Sequence, residues 1–197
     1  GEINTLKGNI NWMKVHEQEM HSPFFQNIEN LKPVIPSGNS DSASLDNVFE
    51  LLTISGHSAP LAKLMLIPDA WSKKSKVLPK EHLQLFNFLN SSMEPWDGPA
   101  AIAGTDNEWV IVASDRNGLR PMRYTVNRDK LLFAGSETGM IELNEEKIIE
   151  KGRLGPGEIL GIRIEKGKIF RNTQIKNYLA KEYKHFNNQI TDLDKKF

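Results

Sequence analysis

The 197-residue sequence contains no cysteine, and that one absence removes several chemistries. Disulfides, a thiolate nucleophile and cysteine-ligated zinc or iron–sulfur centres are all excluded within it. Charge of one sign is lacking as well. The 25 Lys and Arg residues balance 25 Asp and Glu, so no basic excess draws the chain onto a phosphate backbone. No apolar run approaches the roughly 20 residues that a bilayer span requires, and no charged-then-apolar leader opens the chain. The expectation is a cytoplasmic protein with neither nucleic acid nor membrane as partner. His16, His21, His57, His82 and His185 have no spacing that would set two ligands on one helical face, so no metal site is expected.

What is present suits one medium-sized domain. A hydrophobic fraction of 39% and a mean hydropathy of -0.46 allow a real core without long disorder. The first residue is Gly1 rather than methionine, which suggests a fragment of a longer protein. Residues 1–40 read as polar and irregular around one helix at Asn9–Glu19, broken by Pro23, Pro33, Pro36 and Gly38. Leu45, Val48, Phe49 and Leu52 then form one apolar helical stripe, with Asp41, Ser42 and Ser44 before it and Gly56 after it. Pro60 and Pro79 open two further helices, the second with His82, Leu85, Phe86 and Leu89 on one face.

After residue 99 the period changes from 3.6 to 2. Strands are expected at 100–103, 109–112, 119–126 and 131–134, with a last hairpin around Glu165-Lys166-Gly167. The segment from Asn172 is helical in propensity but rich in Lys, Asn and Asp, so it is expected to be peripheral. Helices followed by an antiparallel run predict an α+β fold.

Several clusters are candidates for chemistry. Gly1-Glu2-Ile3-Asn4-Thr5, with Gly8 and Asn9, is either a loop aiming N–H groups at developing negative charge or an ordinary turn. Asp41 either caps the helix after it or holds an ammonium group of a ligand. Asp115-Arg116-Asn117-Gly118-Leu119-Arg120-Pro121 either grips an anion or pins a turn through ion pairs. The stretches 93–99 and 151–158, rich in Pro and Gly, read as architectural strand entries. No GxSxG elbow, P-loop or GxGxxG occurs.

Taken in order, these segments resemble the amidotransferase domain of the glutamate synthase large subunit, a class II amidotransferase. The resemblance is carried by GEINTL with Gly8-Asn9 and Trp12-Met13, by SDSASLDN at 40–47, MLIPDAW at 65–71 and MEPWDGPAA at 93–101. Residues 115–121, Gly135-Ser136-Glu137 and Lys151–Glu158 complete it. It covers roughly residues 1–180, with 181–197 as the start of a linker.

The resemblance implies an N-terminal-nucleophile hydrolase fold, an αββα sandwich of antiparallel sheets, here truncated at its N-terminus. It implies L-glutamine as substrate, Gly1 as the oxyanion-site glycine and Asp41 as the contact for the glutamine α-ammonium. For the full-length parent it implies FMN, an iron–sulfur cluster and either a small electron-transfer subunit or ferredoxin. Ammonia would there convert 2-oxoglutarate to glutamate. The sequence departs from the family's pattern in lacking the nucleophilic cysteine, the asparagine of the oxyanion site and the arginine for the substrate carboxylate. The isolated chain is therefore expected to be inactive and, with family strands missing, to leave a sheet edge open at 119–126 or its neighbouring strands. A stand-alone, catalytically dead binding or scaffold module is the alternative.

Overall fold

The computed structural model describes residues 2–70 and 78–183. Helices come first: α1 (Leu6–Glu19), α2 (Asp41–Ile54), α3 (Ala59–Leu66) and α4 (Lys80–Ser92). Strands follow as β1 (Ala101–Thr105), β2 (Trp109–Ser114), β3 (Arg123–Asn127), β4 (Leu132–Gly135), β5 (Ile148–Arg153), β6 (Ile159–Arg163) and β7 (Lys168–Phe170), and α5 (Asn172–Glu182) closes the run. The strands form two antiparallel sheets, one ordered β1-β2-β6-β7 and the other β4-β3-β5. The expected α+β class and its paired antiparallel sheets are both present.

The period-2 pattern explains how the first sheet serves two cores. On β2, Trp109, Ile111 and Ala113 face the helices, while Val112 between them packs against the second sheet. On β6, Ile159 joins the helical core and its neighbour Leu160 joins Met122 and Leu154 between the sheets. The layers therefore run helices, four-stranded sheet, three-stranded sheet.

The helical stripes behave as their spacing predicts: Val48 and Leu52 of α2 and His82, Leu85, Phe86 and Leu89 of α4 are buried. Three expectations need correction. The segment after Asn172 is not peripheral, because Ile175, Lys176, Leu179 and Ala180 of α5 are buried. Tyr178 lies 5.7 Å from the Trp109 ring, and Lys176 pairs with Asp69. Its polar composition hid an apolar stripe at i, i+4.

Second, the strand expected from Leu119 starts only at Arg123, because the turn before it is held by a buried carboxylate. Third, β5 was not foreseen, since Ile148–Arg153 carries only two apolar side chains. It pairs with β3, so β3 is the central strand of its sheet and the open edges fall to its neighbours β4 and β5. Of the 181–197 linker expectation, everything after residue 183 lies outside the described residues.

Candidate active site

The segments that stood apart in the sequence converge at the start of α1. Glu2 N–H donates to Pro99 O at 3.1 Å, and Asn4 N–H donates to Asp97 O at 2.8 Å. Asp97 N–H answers by donating to Thr5 Oγ1 at 3.0 Å. The first loop thus lies along residues 97–99 like an added strand. Gly98 permits this approach: its φ is +152°, and a Cβ there would overlap the carbonyl oxygen of Glu2 and sit 2.9 Å from the Asn4 nitrogen. Asn9 Nδ2 donates to Pro95 O at 3.2 Å, which ties α1 to the same stretch.

Asp41 meets this loop from the other side. Its Oδ2 accepts from Ile3 N–H at 2.8 Å. Capping of α2 falls instead to Ser40, whose Oγ accepts from Ala43 N–H at 3.3 Å. Capping thus belongs to Ser40, and Asp41 meets the loop instead. Oδ1 of Asp41 takes no hydrogen bond among the described residues, and the side chain is only half-buried. Gly1 and Trp71 lie outside the described residues.

Asp115, at the end of β2, is almost fully buried and builds the third wall. Oδ1 accepts from Asn117 N–H at 3.1 Å and Leu119 N–H at 3.0 Å. Oδ2 accepts from Arg120 N–H at 2.9 Å and Ala100 N–H at 3.2 Å. Of the two readings of residues 115–121, the turn-pinning one holds, but through backbone N–H groups. No ion pair among the described residues joins Arg116 or Arg120 to this carboxylate. Asn117 Nδ2 then donates to Asp97 Oδ1 at 3.3 Å, which links the turn to the loop's support.

Sequence reasoning treated 93–99 as architecture only and passed over two features. Asp97 and Gly98 turn out to be the bed on which Glu2–Thr5 lies, a role signalled only by a glycine between Asp and Pro. The other is Lys63, the single charge in the eight-residue apolar helix APLAKLML. It is buried, its Nζ donates to Gly157 O at 2.8 Å, and burial brings its pKa down to about 8. Elsewhere, a cavity of about 550 Å³ opens on the three-stranded sheet beside Arg123, Lys151 and Arg153, away from Asp41. Among the described residues no group of three or more His, Asp or Glu could hold a metal, and no helix is long and apolar enough to cross a membrane.

The arrangement is a half-buried carboxylate facing the Glu2–Thr5 loop, whose backbone N–H groups all donate within the protein, a geometry suited to orienting a cationic group beside that loop. Comparison with known proteins identifies the family. Residues 1–188 match the family model for class II glutamine amidotransferases. The large chain of the NADPH glutamate synthase of Azospirillum brasilense is 53% identical over 181 residues, covering 91% of this chain and 12% of that protein. The chloroplastic ferredoxin-dependent glutamate synthase 2 of Arabidopsis thaliana is 38% identical over 183 residues, covering 91% of this chain and 11% of that protein. The NADH glutamate synthase of Saccharomyces cerevisiae is 38% identical over 198 residues, covering 98% and 9%. The chain thus spans about an eighth or less of these relatives, whose names carry three different reductants. The chain belongs to the class II glutamine amidotransferases, and it resembles the glutamate synthases among them.

Proposed function

We propose that this chain forms the substrate-orienting part of a glutaminase site, which in a whole glutamate synthase supplies ammonia for glutamate formation. The observation that carries the reading is the bond from Ile3 N–H to Asp41 Oδ2, which fixes the Glu2–Thr5 loop to the aspartate while Oδ1 takes no hydrogen bond among the described residues. In the reaction, a thiolate attacks the side-chain carbonyl carbon of L-glutamine, with the cysteine's own α-amine taking the thiol proton. The tetrahedral oxyanion is held by N–H donors, each worth about 2.7–4 kcal/mol in such sites. Ammonia leaves with that proton, and water cleaves the thioester to glutamate. In this reading Asp41 holds the α-ammonium so that the amide carbon meets the nucleophile, and Gly1 has the role of oxyanion-site glycine that the resemblance implies.

These residues supply orientation but no nucleophile, since the 197 residues include no thiol. The carboxylate-binding arginine and the oxyanion asparagine must likewise come from elsewhere. A cluster needs thiolates, so no residue set here fits one, and FMN and the reductant partner belong to the rest of the parent. The purified 197-residue polypeptide is expected to release no ammonia from L-glutamine above a buffer blank. Glutamine-dependent ammonia from that polypeptide would overturn this assignment of roles.

A further inference from the structure

We propose that Lys63 is a positioning residue for the Glu2–Thr5 loop, acting through the two turns at 155–158 and 115–118 and through Asp97. The inference rests on reading that loop as a wall of the reaction site.

A continuous line of bonds connects them. Lys63 Nζ donates to Gly157 O at 2.8 Å, and Gly157 N–H donates to Asp115 O at 2.8 Å. The Asp115 carboxylate fixes Asn117 N–H, Asn117 Nδ2 reaches Asp97 Oδ1, and Asp97 O receives Asn4 N–H. Each junction is close enough to transmit a shift. Gly118 and Gly157 both have positive φ, of +64° and +68°. A Cβ on Gly118 would press Pro156 at 3.0 Å, and one on Gly157 would press Asp69 Cα at 2.9 Å. The two turns therefore pack directly on each other at Gly118 and Pro156, while Gly157 packs on Asp69.

Burying the ammonium is costly, but removing it alone would orphan Gly157 O and take its charge away from Asp69 and Asp115. What an apolar side chain would lose is the bond to Gly157 O. Four charged groups surround α3: Asp69 after it, Lys176 on α5, Asp115 after β2, and Asp46 of α2 lining a small cavity beside Lys63. The two aspartates Asp69 and Asp115 favour the ammonium, whereas burial and Lys176 disfavour it. Opening the loop leaves α3 in the core, so the open state loses the carbonyl partner without regaining water. The closed loop therefore binds the proton more tightly and is favoured below about pH 8, weakening as pH rises through that value.

Amide hydrogen exchange on the 197-residue chain tests this without any substrate. In wild type, protection of the Asn4 and Thr5 amides is expected to fall about tenfold between pH 7 and pH 9 beyond the intrinsic rate change, while Val112 in β2 keeps its protection. Lys63→Met should lower Tm, because Gly157 O is orphaned, and show the low Asn4 protection at both pH values while Val112 stays protected. Lys63→Arg, charged throughout, should hold the wild-type pH 7 value at both. Wild-type protection of Asn4 in Lys63→Met at pH 7, or a wild-type pH profile for Asn4 no different from Val112, would overturn the proposal. Should neither variant fold, the wild-type pH profile decides alone. Failure here would leave the glutaminase reading standing, because no step of this measurement involves glutamine.

Discussion

Replacing Asp115 with alanine is expected to cost about 4 kcal/mol of folding stability, near the top of the range for a single substitution. The carboxylate is 1% exposed and accepts four backbone N–H groups, from Ala100, Asn117, Leu119 and Arg120. Alanine leaves all four donors facing a dry space, and each buried orphan costs roughly 1–3 kcal/mol before the chain relaxes to find water. Relaxation rescues the outer ones, since Leu119 and Arg120 are exposed, but not Ala100. For a chain of this size the loss corresponds to a fall in Tm of roughly 8–16 °C. Urea unfolding at an unchanged m-value measures it. A loss below about 1 kcal/mol would mean that the turn is held by its glycine and proline geometry instead.

Gly98→Ala carries the second large effect, and it acts on the site as much as on stability. The residue's φ of +152° is strained for any side chain, and the added methyl would occupy the position of the Glu2 carbonyl oxygen. The substitution cannot be absorbed by a rotamer change, because the obstacle is backbone. The Glu2–Thr5 strip must lift away, breaking Glu2 N–H to Pro99 O and Asn4 N–H to Asp97 O. About 3 kcal/mol of stability is expected to go with it. In a longer protein that carries the nucleophile, glutaminase kcat should fall about a hundredfold, because the oxyanion donor is displaced with the loop. Near-normal kcat with a normal melt would show that the loop finds its place without the bed of residues 97–99.

Much of this was legible in the sequence, and the reasons differ by element. The stripes of α2 and α4 announce themselves because one face must be apolar at 3.6-residue spacing. The strands β2 and β6 do so because alternate residues enter different cores. Asp41 and the glycine-led loop were nameable as chemistry, but their meeting was not, since Ile3 and Asp41 are 38 residues apart. Local pattern misled where tertiary context outweighed it. Asn172–Glu182 reads as a solvated helix until Lys176 is seen paired with Asp69 across the fold. Residues 119–122 read as strand until Asp115 captures the N–H groups of Leu119 and Arg120. β5 has little β character of its own and exists because β3 offers it a partner.

The role of Asp41 bears most directly on the account, and kinetics on a longer polypeptide that includes the cysteine nucleophile, with and without Asp41→Asn, test it. Loss of a carboxylate that pairs with the α-ammonium should raise KM for L-glutamine about a hundredfold, a change in binding of the size expected for one partner of a close charge pair. The kcat at saturation should change far less, because the oxyanion donors are untouched. A KM within about twofold of wild type, with the loop still protected at Asn4, would contradict the placement of substrate against Asp41.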